Sequence, residues 1–279
     1  MPEERQVDRR FLEWLRAEEA VPFKGWDFFH LQGRMIEEQL PWDYAHIVLD
    51  ALPAAEALLD MGTGGGEFLS DLRPLPPYTR ATEGYAPNIR LARERLEPLG
   101  VTVYEVEDDT RLPFGDAEFD LVINRHESYE PTEVRRILHP GGRFVTQQVG
   151  GHNDTDLNTL LGAPEAGESN WDLVHARRAL EDAGFEVREA REAFPLTSFA
   201  DVGAIVYLPK AIPWQIADFS VDRYFDGLKE LEQRAHTEGY IAARGHRFLL
   251  DAIRPILANF REPPKSRSSE NAPSTHSGE

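Results

Sequence analysis

Hydrophobic residues along this chain change their period after about fifty residues. In the first stretch the period is helical. Phe11, Leu12, Trp14 and Leu15 share one face, and Tyr44, Ile47, Val48 and Leu52 share another. Between them lies WDFFHLQGRMIEEQLPW, carrying Trp26, Phe28, Phe29, His30 and Trp42. Such aromatics dock two leading helices on the rest of the chain, or form a lid over a pocket. From residue 56 the pattern becomes strand, turn, helix, repeated. AEALLDMG, YTRATEGY, VTVYEVED, FDLVINRH and GRFVTQQV are short apolar runs, several separated by helix-period stretches such as NIRLARERLEPLG and EVRRILHPGG. This alternation predicts a mostly parallel sheet covered on both faces. WDLVHARRALEDAG then reads as a helix, FEVREAREAF as a sixth strand and YIAARGHRFLLDAI as a last strand. In that last strand Phe248, Leu250 and Ala252 alternate with Arg247, Leu249 and Asp251. Residues 195–238 between these two strands read as mainly helical.

Composition narrows the picture at the ends and on the surface. Residues 262–279 hold no large apolar side chain, so they are expected to be a disordered tail. The formal net charge of −19 over 279 residues opposes binding to phosphate backbones and anionic membranes, so neither nucleic acid nor membrane is expected as a partner. No cysteine is present, which removes disulfides, thiolate zinc sites and cysteine nucleophiles together. The chain has no apolar run long enough to cross a membrane, and its first residues, MPEERQVDRR, lack a signal-peptide pattern. A cytoplasmic location is the default expectation. The histidines show no ligand-type spacing, so no metal site is expected.

The sharpest signal is LLDMGTGGGEFL, where an apolar run ends in Asp60 and Gly62, Gly64 and Gly66 alternate before a helix. Glycines at a strand-to-helix turn let a ligand approach the backbone closely. A dinucleotide site wants G-x-G-x-x-G, and the third position of that spacing is Glu67, whose carboxylate would face the phosphates. The G-x-G-x-G spacing suits a ligand without phosphate, whose amino group a carboxylate can meet. Here the chain resembles the class I S-adenosylmethionine-dependent methyltransferases, with a methyltransferase type 11-like core, over roughly residues 55–150. The resemblance implies a Rossmann-like, doubly wound α/β fold with a seven-stranded, mostly parallel sheet and an antiparallel last strand. Around it are expected a helical cap (1–54), a core domain (55–261) and a helical insert on the acceptor side (195–238). It also implies S-adenosyl-L-methionine as cofactor. Asp60, Gly62, Thr63, Gly64 and Gly66 are implied at the glycine turn. Glu83 and Gly84, in RATEGYAPN, follow at the ribose. Asp108, Asp109 and Thr110, in VEDDTRLPFGDAEFDLVI, are implied at the adenine, and Asn124 at the end of the fourth strand. RILHPGGRFV matches the helix, turn and fifth strand of the same family.

The chain also departs from that pattern. Glu83 stands where aspartate is also common, and the connection NRHESYEPTEVRRILHPGG is short. That shortness, with VYLPKAIPW, is similar to methyltransferases of ribosomal RNA guanine. Those carry a cysteine zinc module that this chain lacks, and the charge of −19 opposes RNA. A small-molecule acceptor is therefore the expectation, with the methylated atom (O, N or C) open. A non-methylating use of the cofactor and a non-catalytic cofactor-binding regulator are the alternatives. Ligands in open α/β sheets bind beyond the carboxyl ends of the strands. His126, Glu127 and Tyr129 follow the fourth strand there, His126 as candidate general base and the other two as acceptor contacts. The sequence leaves the oligomeric state open.

Overall fold

The computed structural model describes residues 2–23, 29–164, 170–210, 212–213 and 215–256, with residues 2–5 described by backbone alone. Trp26, Phe28, Trp214 and the tail 262–279 lie outside the described residues. In chain order the elements are α1 (Pro2–Ala20), β1 (Met35–Glu37), α2 (Tyr44–Ala51), β2 (Ala57–Met61), α3 (Glu67–Asp71), β3 (Tyr78–Glu83), α4 (Ala86–Leu96), β4 (Thr102–Glu105), β5 (Phe119–Arg125) and α5 (Pro131–Ile137). The second half adds β6 (Leu138–Val149), α6 (Thr155–Leu161), α7 (Leu173–Asp182), β7 (Glu186–Ala193), β8 (Leu196–Phe199), α8 (Val202–Tyr207), α9 (Phe225–Glu238), β9 (Ile241–Arg244) and β10 (Arg247–Ile253).

Seven strands form one sheet in the order β4-β3-β2-β5-β6-β10-β7. The first five run parallel, and β10 runs antiparallel between β6 and β7. Side chains alternate across this sheet. Leu58, Leu121, Ile123, Val145 and Leu249 face Val48 of α2, Leu69 of α3, and Ala92 and Leu96 of α4. Leu59, Val122, Phe144, Phe248 and Leu250 face Val134 and Ile137 of α5, and Ala176 and Leu180 of α7. Strands buried on both faces explain why the apolar runs are nearly continuous in sequence.

A third apolar cluster lies apart from these two. It joins Leu15 of α1, Val202, Ile205 and Val206 of α8, Leu228 and Leu231 of α9, and Leu157 and Leu161 of α6. Beside it stands a second sheet, β1-β8-β9, with Met35 opposite Phe199 and Leu196 opposite Arg244. The sequence pattern predicts helices here and one long last strand. The structure instead breaks that strand at Gly245–His246, giving β9 to the small sheet and β10 to the large one. Strands of three or four residues carry too few positions for a period to show, and these pair with partners far away in the chain. No described helix is long and apolar enough to cross a membrane.

Arg34 clamps this cap. Its guanidinium donates to Asp201, with Nε at 2.9 Å and Nη2 at 2.5 Å, and to both oxygens of Glu18 at 3.1 Å. Asp201 also caps α8 by accepting from the Ala204 amide at 3.0 Å. Arg34→Ala leaves two half-buried carboxylates facing each other. It is expected to destabilise the chain by about 1–3 kcal/mol, read by urea unfolding, a pair of this partial exposure being weaker than a fully buried one. Equal stability of the variant would show the clamp to be dispensable.

Candidate functional site

The carboxyl ends of β2, β3 and β5 meet over the glycine turn. Gly62, Gly64 and Gly66 all take positive φ (+66°, +63° and +81°), a conformation costly for other residues. The turn is tied to β3 through the Thr63 amide, which donates to the Thr82 carbonyl at 2.9 Å. α3, which follows, is only five residues long.

Carboxylates gather around this turn. Asp60, at the end of β2, is 4% exposed. Burial pushes its carboxyl up to about 7, and the nearby Glu83 charge adds to this, while the Thr63 hydroxyl and Arg125 pull the other way. Glu83, 5% exposed, accepts the Tyr85 amide at 2.8 Å through Oε1. Glu127 lies directly on the turn: a Cβ at Gly62 would meet its Cβ at 2.4 Å and its Oε2 at 2.7 Å. Burial and the like charges of Asp109 and Glu83 raise the Glu127 carboxyl above its ordinary value. Its hydrogen bonds, from the Ser128 amide at 3.3 Å and the Ser128 hydroxyl at 3.4 Å, are long. Among the described residues Glu83 and Glu127 have no cationic partner within ion-pair distance. Such a set fits a ligand bearing positive charge and a diol, and the positive-φ glycines leave the backbone bare for it.

The turn at 108–110 closes the other end. Asp108 accepts from the Thr110 amide at 2.9 Å and its hydroxyl at 2.6 Å, bonds that hold its carboxyl below the ordinary value. Asp109 accepts the Ser128 hydroxyl at 2.5 Å and so ties this turn to the one after β5. Gly84 is needed for close approach: a Cβ there would lie 2.6 Å from the Val106 carbonyl oxygen.

The residues expected after β5 separate. Asn124 is fully buried, its Oδ1 accepting from Gln148 at 2.7 Å and Thr146 at 3.3 Å, and it props the turn from beneath. Glu127 faces the glycines, where the sequence reading put it at the acceptor. Tyr129 turns to the α5 face, its ring 5.0 Å from Phe144 and 5.8 Å from Trp171, with a buried hydroxyl that has no hydrogen-bond partner among the described residues. It does not join His126. His126 is exposed on the opposite, α2 face. There the surrounding protein and then the Arg247 and Arg125 guanidinium groups depress its imidazole pKa. The sequence reading missed its neighbours. Gln147 and Arg247 share its side of the sheet, and Trp42, noted only as one of many aromatics, bonds Gln147. Two consecutive glutamines near the carboxyl end of β6 were the available signal. The best-formed concavities share no residue with this site. One, of about 160 Å³, lies in the cap among Val206, Ile216 and Phe219.

Comparison with known proteins shows what this part of the chain is similar to. The sequence profile described as "Methyltransferase domain" matches residues 59–146. An uncharacterized 37.1 kDa protein in transposon TN4556 of Streptomyces fradiae is 26% identical over 90% of this chain and 78% of its own length. The demethylmenaquinone methyltransferase of Deinococcus radiodurans is 33% identical over 33% of this chain, and the match spans 45% of that relative. The crystal structure of a proposed methyltransferase from Bacillus halodurans superimposes with a TM-score of 0.54 at 20% identity, over 77% of this chain and 99% of the other. That likeness concerns the fold.

Proposed function

We propose that this chain, whose residues 59–146 match the methyltransferase-domain family, is a class I S-adenosylmethionine-dependent methyltransferase that methylates a small molecule on the His126 side of the glycine turn. The observation that carries this reading is the set of carboxylates, Asp60, Glu83 and Glu127, around a turn of positive-φ glycines, a match for a cofactor with ammonium, sulfonium and ribose hydroxyl groups. When bound, the cofactor supplies an electrophilic methyl group on a positively charged sulfur.

The chain's own residues bind and orient. Asp60 holds the amino group, and burial makes its charge costly until a cation pairs with it. Glu83 takes the ribose hydroxyls, and the turn at 108–110 takes the adenine. Glu127 is assigned to the cofactor side, since its carboxylate already lies against Gly62. His126 faces the acceptor. Its depressed pKa leaves the imidazole neutral at pH 7 and makes it a weak base, so positioning carries most of the acceleration. The net charge of −19 disfavours RNA as the acceptor.

Calorimetry with S-adenosylhomocysteine tests the cofactor site directly. The wild type is expected to bind, and Glu83→Ala is expected to weaken binding by about 1.5–3 kcal/mol, the usual cost of hydrogen bonds to a charged group. Absence of binding in the wild type refutes the reading. Unchanged affinity in the variant removes Glu83 from the site.

A further inference from the structure

Resting on the reading that the methyl acceptor lies on the His126 side, we propose that Gln147, held by Trp42, is a positioning residue that fixes His126 in its Nδ1–H form, so that the ring offers the acceptor a hydrogen-bond donor and not a base.

The chain of hydrogen bonds carries a direction. An indole N–H can only donate. Trp42 Nε1 lies 2.8 Å from Gln147 Oε1 in a buried pair, each residue 7% exposed. Turning the Gln147 amide over would set its NH2 against the indole N–H, two donors facing each other. The amide orientation is thereby fixed, and Gln147 Nε2 is the atom that lies 3.1 Å from His126 Nε2. An amide nitrogen also only donates, so His126 Nε2 must accept. A neutral ring then carries its proton on Nδ1, for which no partner exists among the described residues.

The ring is held for this. The His126 amide donates to the Gln147 carbonyl at 2.8 Å, so main chain and side chain are both tied to the same residue of β6. His126 takes φ +69°, a conformation uncommon outside glycine, asparagine, aspartate and histidine. Trp42 is anchored in turn, because Asp43 caps α2 by accepting the His46 amide at 3.1 Å. Strand register puts Arg125 of β5 beside Gln147, and Arg247 of β10 opposite Val149, on the same face. Arg125 lies 4.5 Å above the Phe68 ring and has no carboxylate within ion-pair distance among the described residues, whereas Arg247 is paired with Glu37 at 3.1 Å. Two guanidinium groups on this face oppose a second proton on the imidazole, adding to the larger effect of the surrounding protein in lowering its pKa. The lone pair at Nε2 is engaged and the other nitrogen is already protonated, so no proton leaves the acceptor through this ring. An acceptor that suits the site brings its reacting atom unprotonated, beside an oxygen that can take the Nδ1 hydrogen bond.

The test reads the proton directly. Protein labelled with 15N-histidine is observed by long-range proton–nitrogen correlation at pH 7, and His126 is identified by the signals lost in His126→Asn. The expected result is an unprotonated Nε2 and a protonated Nδ1. Protonated Nε2 in the wild type, as neutral tautomer or as imidazolium, overturns the proposal. Gln147→Glu supplies only acceptors and is expected to move a proton onto Nε2. If Nε2 stays bare, Gln147 is not what fixes the ring. Trp42→Phe preserves the aromatic bulk and is expected to give a mixture of tautomers, whereas an unchanged spectrum excludes Trp42 from the device. Binding of S-adenosylhomocysteine is measured on the same samples. Its absence in the wild type sinks the cofactor reading while the tautomer result stands on its own.

Discussion

Gly62→Ala is expected to destabilise the chain by about 2–5 kcal/mol and to abolish measurable S-adenosylhomocysteine binding, through two separate effects. Gly62 sits at φ +66°, and a side chain in the left-handed region costs about 1–2 kcal/mol. The new methyl would also lie 2.4 Å from Glu127 Cβ and 2.5 Å from its Cγ, and overpacking of this kind costs about 1–3 kcal/mol. Cβ cannot swing aside as a carboxylate tip could, so the turn after β5 must shift with it. Gly64→Ala is the internal control. Its φ is +63°, but nothing lies within 4 Å of the added methyl, so only the strain of about 1–2 kcal/mol should appear. Urea unfolding of the two variants separates the effects. Equal losses would mean that Glu127 does not press on the glycine turn. Glu127→Gly, which removes the Cβ that the new methyl meets, should recover the steric part in the Gly62→Ala background, and a double-mutant cycle measures that recovery.

Asp60→Asn is expected to stabilise the unliganded chain while weakening S-adenosylmethionine binding. In the folded chain Asp60 keeps its proton up to about pH 7, because burial disfavours the charge. Unfolded, it releases that proton near about 4. Between those values the folded state binds more protons than the unfolded one, so stability contributed at low pH is lost as pH rises through about 7. Asparagine cannot ionise and escapes that loss. At pH 8 the variant should gain on the order of 2–4 kcal/mol over wild type, and at pH 4 almost nothing. Other buried acids, Asp154 among them, titrate in the same direction, so the difference between variant and wild type is the quantity to read. Affinity for S-adenosylmethionine should fall by about 1.5–3 kcal/mol at pH 8, the cost of losing a charged partner. In the wild type that affinity should rise as Asp60 ionises between pH 6 and 8. A variant that gains no stability at pH 8 would place the Asp60 charge in a well-solvated position. Unchanged affinity would exclude it from the cofactor.

Part of this protein is determined locally. β2 and β5 are recognisable as buried strands by their unbroken apolar runs, Ala57–Leu59 and Leu121–Ile123, and the glycine turn is recognisable because only glycine takes three left-handed conformations in five residues at no cost. These signals sit within a few residues of one another, so the sheet and the glycine turn, with Asp60 and Glu83 beside it, were legible in the sequence. The cap sheet was not. β1, β8 and β9 are each three or four residues long and pair with partners as distant as Met35 and Phe199, which no window of sequence brings together.

The placing of the residues after β5 was decided by tertiary structure alone. His126, Glu127 and Tyr129 stand within four residues, and proximity in sequence suggested one shared task. The turn crosses the rim of the sheet, however, and sends Tyr129 to one face, Glu127 onto the glycines and His126 to the other face. What His126 does is then set by Gln147, twenty-one residues on, and Trp42, eighty-four residues before, through hydrogen bonds whose direction follows from which atoms can only donate. Residue type gives a side chain its repertoire of proton states. The partner atoms brought beside it by the fold select one of them.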